Sequence, residues 1–82
     1  MQGKTIDGIK LSTIVRVVSE LDVISIREGA KHPAVLMADG LRPCPVAKSS
    51  DARRMISPWL RDATGYDARD IYSALRAGRW YQ

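Results

Sequence analysis

A single histidine and a lysine beside it are the residues of this chain whose types are best suited to chemistry. His32 is the only histidine in the sequence, and Lys31 directly precedes it. An imidazole has an unperturbed pKa of about 6.5, so it can accept a proton near neutral pH. A neighbouring lysine would attract a phosphate and stabilise charge developing on it. The pair, with Arg27 nearby, predicts proton transfer at a phosphate group; the alternative is a surface histidine without a catalytic role.

Other basic side chains are candidates for phosphate contacts. Arg53 and Arg54, with Arg61, lie on the polar side of a predicted helical segment. Contacts from such side chains to phosphates supply affinity without sequence information. A solvated helix face is the alternative interpretation of the same pattern.

The overall charge favours a polyanionic partner. The chain has 82 residues with 13 Lys and Arg against nine Asp and Glu, giving a formal charge of +4. This length predicts one domain, spanning residues 1–82, with a thin core. The positive excess favours RNA, DNA or an acidic protein as a partner, although it could also serve solubility alone.

Several classes of site are disfavoured by what the sequence contains. Cys44 is the only cysteine, so an internal disulfide is excluded and a zinc site would need carboxylates. Asp67 and Asp70 are spaced as charges at a helix N-terminus rather than as an acid–base pair. We expect no metal and no cofactor. Neither a signal peptide nor a membrane span is evident, so a cytoplasmic protein is expected.

The elements that must position these residues follow from periodicity. Ser12 is predicted to cap a helix with an apolar stripe at Ile14, Val17, Val18 and Leu21. Strands are then predicted over residues 23–28, 33–37 and 41–46. The first turn carries His32, and Asp39-Gly40 forms the second. Pro43 and Pro45 predict that the third strand lies at an edge.

The last third of the chain is predicted to be helical. An apolar face is expected from Met55, Ile56, Trp59 and Leu60, with a kink or two short helices at Pro58. Gly65 ends this segment, and Asp67 caps a final helix. The fold class is therefore α+β, ordered α-β-β-β-α(α), with a three-stranded antiparallel sheet packed on helices. Residues 1–8 are expected to be a flexible leader and residues 78–82 a C-terminal tail.

The order of elements and the residues within them resemble the HicA family of toxin mRNA interferases. The resembling features are residues 21–23 at the strand entry, His32 at the histidine position, and Asp39-Gly40 seven residues later. Residues 60–65 followed by residues 67–72 give the best match. The resemblance covers about residues 12–76.

This resemblance implies a double-stranded-RNA-binding-like fold and metal-independent RNA cleavage. His32 would activate a ribose 2′-hydroxyl to attack the adjacent phosphate, which Lys31, Arg27 and Lys48 would hold. A cognate antitoxin protein is implied as a partner. The sequence departs from the family pattern at Lys31 and Pro58. A non-catalytic domain of the same fold that binds RNA, DNA or a protein is therefore the main alternative, and an unrelated DNA-binding regulator is another.

Overall fold

The computed structural model describes residues 2–28 and 33–80 and has the expected α+β class. Its elements, in chain order, are α1 (Leu11–Val18), β1 (Ser25–Arg27), β2 (Ala34–Met37), β3 (Cys44–Val46), a π-helical turn (Ala52–Ile56), α2 (Ser57–Thr64) and α3 (Ala68–Ala77). The three strands form one antiparallel sheet in the order β1-β2-β3. The predicted order α-β-β-β-α(α) is confirmed.

Helix α1 buries three of the four residues of the predicted stripe, but it begins earlier than expected and ends before the fourth, Leu21, which is partly buried. Ile14, Val17 and Val18 are fully buried, joined by Leu11, which the sequence analysis did not include. The N-terminal cap position is Lys10 rather than Ser12, and no side chain caps this end. Leu11 N–H instead donates to the carbonyl of Gly3. Because β-branched residues weaken a helix intrinsically, burial of this stripe must supply most of its stability.

The sheet buries one face. Strand β2 pairs Ile26 with Leu36 on one side and Leu36 with Cys44 on the other. Leu36 and Cys44 lie in the core, whereas Arg27 and Ser25 are exposed, as alternation along a strand requires. The strands are shorter than the predicted ranges. The third strand is an edge strand of this sheet, as its prolines predicted, but Pro43 lies outside it.

The segment that contains Pro58 consists of two short helical elements, as one of the two predicted arrangements has it. The π-helical turn runs directly into α2, with Pro58 in the first turn of that helix. Ser57 N–H donates to the carbonyl of Ala52, five residues back. Proline cannot donate to the residue four before it, and its ring would clash with that carbonyl in a regular α-helix. The wider π spacing accommodates both effects, and the predicted division into two short helices takes the form of a π-helical turn followed by α2.

One predicted core residue of this segment lies at the surface. Ile56 and Leu60 are fully buried and Trp59 is partly buried, but Met55 is 48% exposed. The π spacing rotates Met55 away from the core, and its sulfur accepts the Asp51 backbone N–H instead.

The remaining helix boundaries agree with the sequence. Gly65 ends α2 with φ of 80°, and its N–H donates to the carbonyl of Arg61. The Asp67 carboxylate caps α3 by accepting the backbone N–H of Arg69 at 2.8 Å. Ile71 and Leu75 are fully buried. Trp80 packs back on α1, where its Nε1 donates to the carbonyl of Val17.

The N-terminal residues form a small hairpin that packs on the domain. Thr5 N–H donates to the Ile9 carbonyl, and Gly8 N–H donates to the Thr5 carbonyl. Gly8 has φ of 88°, the left-handed conformation that ends three-residue hairpin loops. Thr5 and Ile9 are each only 5% exposed. Residues 1–8 were expected to form a flexible leader, whereas residues 3–8, within the described part of the chain, form specific hydrogen bonds and include the buried Thr5.

Candidate functional site

Two of the predicted phosphate-binding residues lie at one end of the sheet. Arg27 is the last residue of β1 and pairs with Val35, while Ala34 pairs with Val46 at the end of β3. The chain therefore leaves β1, enters β2 and leaves β3 at the same end. Strands lie about 4.8 Å apart, so Arg27 and the end of β3 are about 10 Å apart. Lys48 follows β3 by two residues, and both side chains are exposed.

The other two predicted contacts, Arg53 and Arg54, begin the helical segment that follows. Both side chains are exposed in the π-helical turn. Their backbone N–H groups donate to carboxylates, Arg53 to Asp7 at 3.1 Å and Arg54 to Asp51 at 3.1 Å. These bonds fix the first helical turn. We call Arg27, Lys48, Arg53 and Arg54 together the basic end.

Asp7 holds the N-terminal hairpin against the basic end. Its carboxylate accepts N–H groups from Ala52 and Arg53 and the hydroxyl of Thr5, while Ile6 N–H donates to the carbonyl of Ser50. Partial burial alone would raise the pKa of Asp7. The hydrogen bonds from Thr5, Ala52 and Arg53 outweigh burial and lower that pKa below its ordinary value of 3.8. Asp7 is therefore a carboxylate at neutral pH, which is the form these donors require.

The predicted catalytic pair lies outside the described residues. His32 and Lys31 belong to residues 29–32, which join β1 to β2 in the chain. The described residues on either side of this segment are Glu28 and Pro33. Both are exposed at the sheet end that carries Arg27. The roles of His32 and Lys31 remain predictions.

Sequence reasoning missed three further cations on the adjoining surface. Lys4 and Lys10 face each other across the N-terminal hairpin, and Arg76 reaches the same hairpin from α3. All three side chains are exposed. The signal that could have found them is Asp7-Gly8, which is the same dipeptide that marked the turn at Asp39-Gly40. With residues 1–8 treated as a leader, this second hairpin signal was not used.

The opposite end of the sheet is acidic. A cleft of roughly 520 Å³ lies beside the start of β1 and the end of β2 and is lined by Asp22, Asp39 and Asp62. A neighbouring depression adds Glu20. The basic end also holds the carboxylates of Asp7, Asp51 and Glu28, but those of Asp7 and Asp51 accept backbone N–H groups. A polyanion would therefore be attracted to the basic end and repelled by the other.

Other side chains that could take part in chemistry have structural roles in this arrangement. Burial raises the pKa of the Cys44 thiol to about 11, so it is protonated and unreactive at neutral pH. Asp67 and Asp70 lie at the start of α3. Across residues 2–28 and 33–80, no three His, Cys, Asp or Glu side chains are grouped as metal ligands. In the same part of the chain, no helix is long and apolar enough to cross a membrane.

Comparisons of the chain with protein-family models, with curated proteins and with solved structures found no match. The resemblance to the HicA family thus rests on the sequence features described above.

Proposed function

We propose that this chain is an RNA-binding endoribonuclease of the HicA toxin type, which holds the RNA backbone at the basic end and cleaves it with His32. The observation that carries the proposal is that Arg27 ends β1 at the sheet end where β3 also ends, and that the exposed Lys48, Arg53 and Arg54 follow β3 in the chain. His32 directly precedes Pro33, which lies at this end.

The charge arrangement supports RNA backbone binding. Arg53 and Arg54 have their backbone N–H groups held by Asp7 and Asp51, which leaves both guanidinium groups directed outward from a fixed turn. Arginine contacts phosphate oxygens through two parallel hydrogen bonds. An anchored backbone at Arg53 and Arg54 therefore favours contacts of defined geometry with phosphate. Cations held on one surface release counterions when they bind a nucleic acid, which supplies sequence-independent affinity.

The chemistry proposed for His32 is general-base catalysis. The imidazole accepts the proton of a ribose 2′-hydroxyl, and that oxygen attacks the adjacent phosphorus. The bond from phosphorus to the 5′-oxygen of the next nucleotide then breaks, and water protonates the leaving oxygen. The products are a 2′,3′-cyclic phosphate and a 5′-hydroxyl end. Lys31 and the basic end stabilise the negative charge that develops on the phosphate.

The proposal is tested by incubating the purified chain with single-stranded RNA in excess EDTA. We expect cleavage by the wild type with cyclic-phosphate ends, and loss of cleavage in His32→Ala. Removal of a general base typically slows a reaction by about 10²–10⁴-fold. RNA binding should survive in His32→Ala, because the basic end is unchanged. Expression in a bacterium should arrest growth with the wild type and not with this variant.

The control replaces a cation at the other end of the sheet. Arg42→Gln removes one positive charge from the loop after β2 and should leave cleavage unchanged. RNA binding without cleavage by the wild type would instead support the alternative, a non-catalytic binding domain. An absence of both binding and cleavage would reject the proposal. The cognate antitoxin, which would cover the basic end, is part of the same proposal.

A further inference from the structure

The N-terminal hairpin and the end of α3 enclose a small basic pocket beside the basic end. We infer that this pocket, lined by Lys4, Lys10 and Arg76, is a second site for a phosphate group, supplied by a polynucleotide strand that continues from the basic end. The inference rests on the proposed RNA binding for the source of the phosphate. The phosphate site itself rests on the arrangement of the three cations.

The two lysines are directly opposite each other, so their ammonium groups repel each other unless an anion lies between them. Lys4 and Lys10 are antiparallel bridge partners. The bonds that flank them run from Thr5 N–H to the Ile9 carbonyl and from Leu11 N–H to the Gly3 carbonyl. This pattern defines a non-hydrogen-bonded pair, in which side chains approach most closely, with Cα atoms about 4.5 Å apart. Like charges directly opposite each other destabilise a pair of strands. A phosphate between the two ammonium groups would remove this cost.

Arg76 is positioned by three contacts that leave its charge uncompensated. Its Nη1 donates to the Tyr72 hydroxyl at 3.1 Å and to the carbonyl of Asp7 at 3.4 Å. The guanidinium carbon also lies 5.7 Å from the centre of the Tyr72 ring. None of these partners carries a negative charge at the contact atom. The guanidinium is therefore fixed in place and still able to bind an anion.

The shape and composition of the pocket suit one phosphate group. Its volume is about 220 Å³, and its other lining residues among those described are Gly8, Ile9, Thr13 and Leu75. No acidic side chain is among these lining residues, and none of the three cations forms a salt bridge within the described part of the chain. Three positively charged residues thus line a depression that Thr13 and Gly8 also line.

The pocket is joined to the basic end through Asp7. The Asp7 carbonyl accepts from Arg76, and its carboxylate accepts the backbone N–H of Arg53. In addition, the Lys48 side chain lies so close to Gly3 that a Cβ there would come within 2.6 Å of it. A strand bound along Lys48 and Arg53 therefore passes the hairpin that carries Lys4 and Lys10.

The phosphate site is tested with inorganic phosphate, titrated against chloride at constant ionic strength while backbone amide NMR signals are followed. We expect shifts concentrated at Gly8, Ile9 and Thr13. The double variant Lys4→Gln/Lys10→Gln should raise the dissociation constant by about tenfold or more, because it removes two charge-assisted contacts. Arg42→Gln is the matched control and should change nothing. The amide spectrum of each variant also reports that it is folded.

Shifts spread evenly over all basic residues, or unchanged binding by the double variant, would overturn the phosphate site. A second titration uses single-stranded RNA. If the strand supplies the phosphate, the same amides shift, and the double variant lowers the salt slope of RNA binding by about 1.4. If phosphate shifts these amides and bound RNA does not, the strand is rejected as the source. If RNA binds nowhere, the proposed function fails while the phosphate titration still decides the site.

Discussion

At the scale of single residues, Asp7 has the largest structural role in the candidate site. One carboxylate satisfies the first two N–H groups of the π-helical turn and the Thr5 hydroxyl. The bonds from Ala52 and Arg53 join residues more than 40 positions apart, so they fix the hairpin relative to the cations of the basic end. The sequence gives Asp7 no obvious partner, because the residues it caps are distant in the chain. For that reason the sequence analysis did not select it.

Replacing Asp7 by Asn should destabilise the fold by about 1–2 kcal/mol, as loss of a helix cap does. An amide nitrogen cannot accept the Arg53 N–H, so one donor loses its partner. The folded-state pKa of Asp7 is lowered, so its contribution is present above about pH 4 and is lost as the pH falls through the folded value. Urea unfolding at neutral and acidic pH measures both effects.

Asp22→Asn is the control for this variant. Asp22 is exposed and accepts no hydrogen bond within the described residues. Its replacement should change stability by less than about 0.5 kcal/mol. Equal stability of the two variants at neutral pH would contradict the role given to Asp7.

At the scale of elements, the connection from β3 to the π-helical turn determines where Lys48, Arg53 and Arg54 lie. Ser50 closes it: its hydroxyl accepts the Ala47 N–H at 3.1 Å and donates to the Pro45 carbonyl at 3.0 Å. Ser57, at the start of α2, is equally buried, but its hydroxyl has no hydrogen-bond partner among residues 2–28 and 33–80. Two buried serines therefore have opposite energetic roles.

The two serines provide a matched pair of substitutions. Ser50→Ala should cost about 1–3 kcal/mol, because it leaves buried polar groups unsatisfied. Ser57→Ala removes an unsatisfied hydroxyl, so it should be neutral or stabilising by up to about 1 kcal/mol. Thermal and urea unfolding measure both changes. A larger loss from Ser57→Ala than from Ser50→Ala would contradict the hydrogen bonding described here.

The elements also show how far the sequence could predict this fold. Local signals were sufficient for the glycine end of α2, the Asp67 cap of α3 and the edge position of β3, because each depends on neighbouring residues. Met55 was misplaced because a π-helical turn shifts the apolar face, and the 3.6-residue period does not anticipate it. The hairpin at residues 3–10 was missed because its stability comes from Ser50, Ala52 and Arg53, which are distant in sequence.

At the scale of the whole molecule, the presence of several basic side chains near one end of the sheet is the property that the proposed function needs. Arg27, Lys48 and Arg53 lie at one end, whereas Asp22, Asp39 and Asp62 line the cleft at the other. Arg27, Lys48, Arg53 and Arg54 were each predicted from the sequence as phosphate contacts, but the placement of Arg27 at the end where β3 ends depends on strand register. An RNA strand should therefore bind at the basic end. Its affinity should depend on the positions of the positive charges and not only on the net charge of the protein.

The most direct test measures the affinity for single-stranded RNA as a function of salt concentration. The variant Arg27→Gln/Lys48→Gln/Arg53→Gln is compared with Arg42→Gln/Arg69→Gln/Arg79→Gln, which removes three exposed positive charges outside the basic end from the same starting charge of +4. Each lost phosphate contact lowers the salt slope by about 0.7, so the first variant should lose about 2 from the slope and bind weakly. The second should retain the wild-type slope. Equal losses in the two variants would contradict a specific binding end, and a wild type without salt dependence would contradict RNA binding itself.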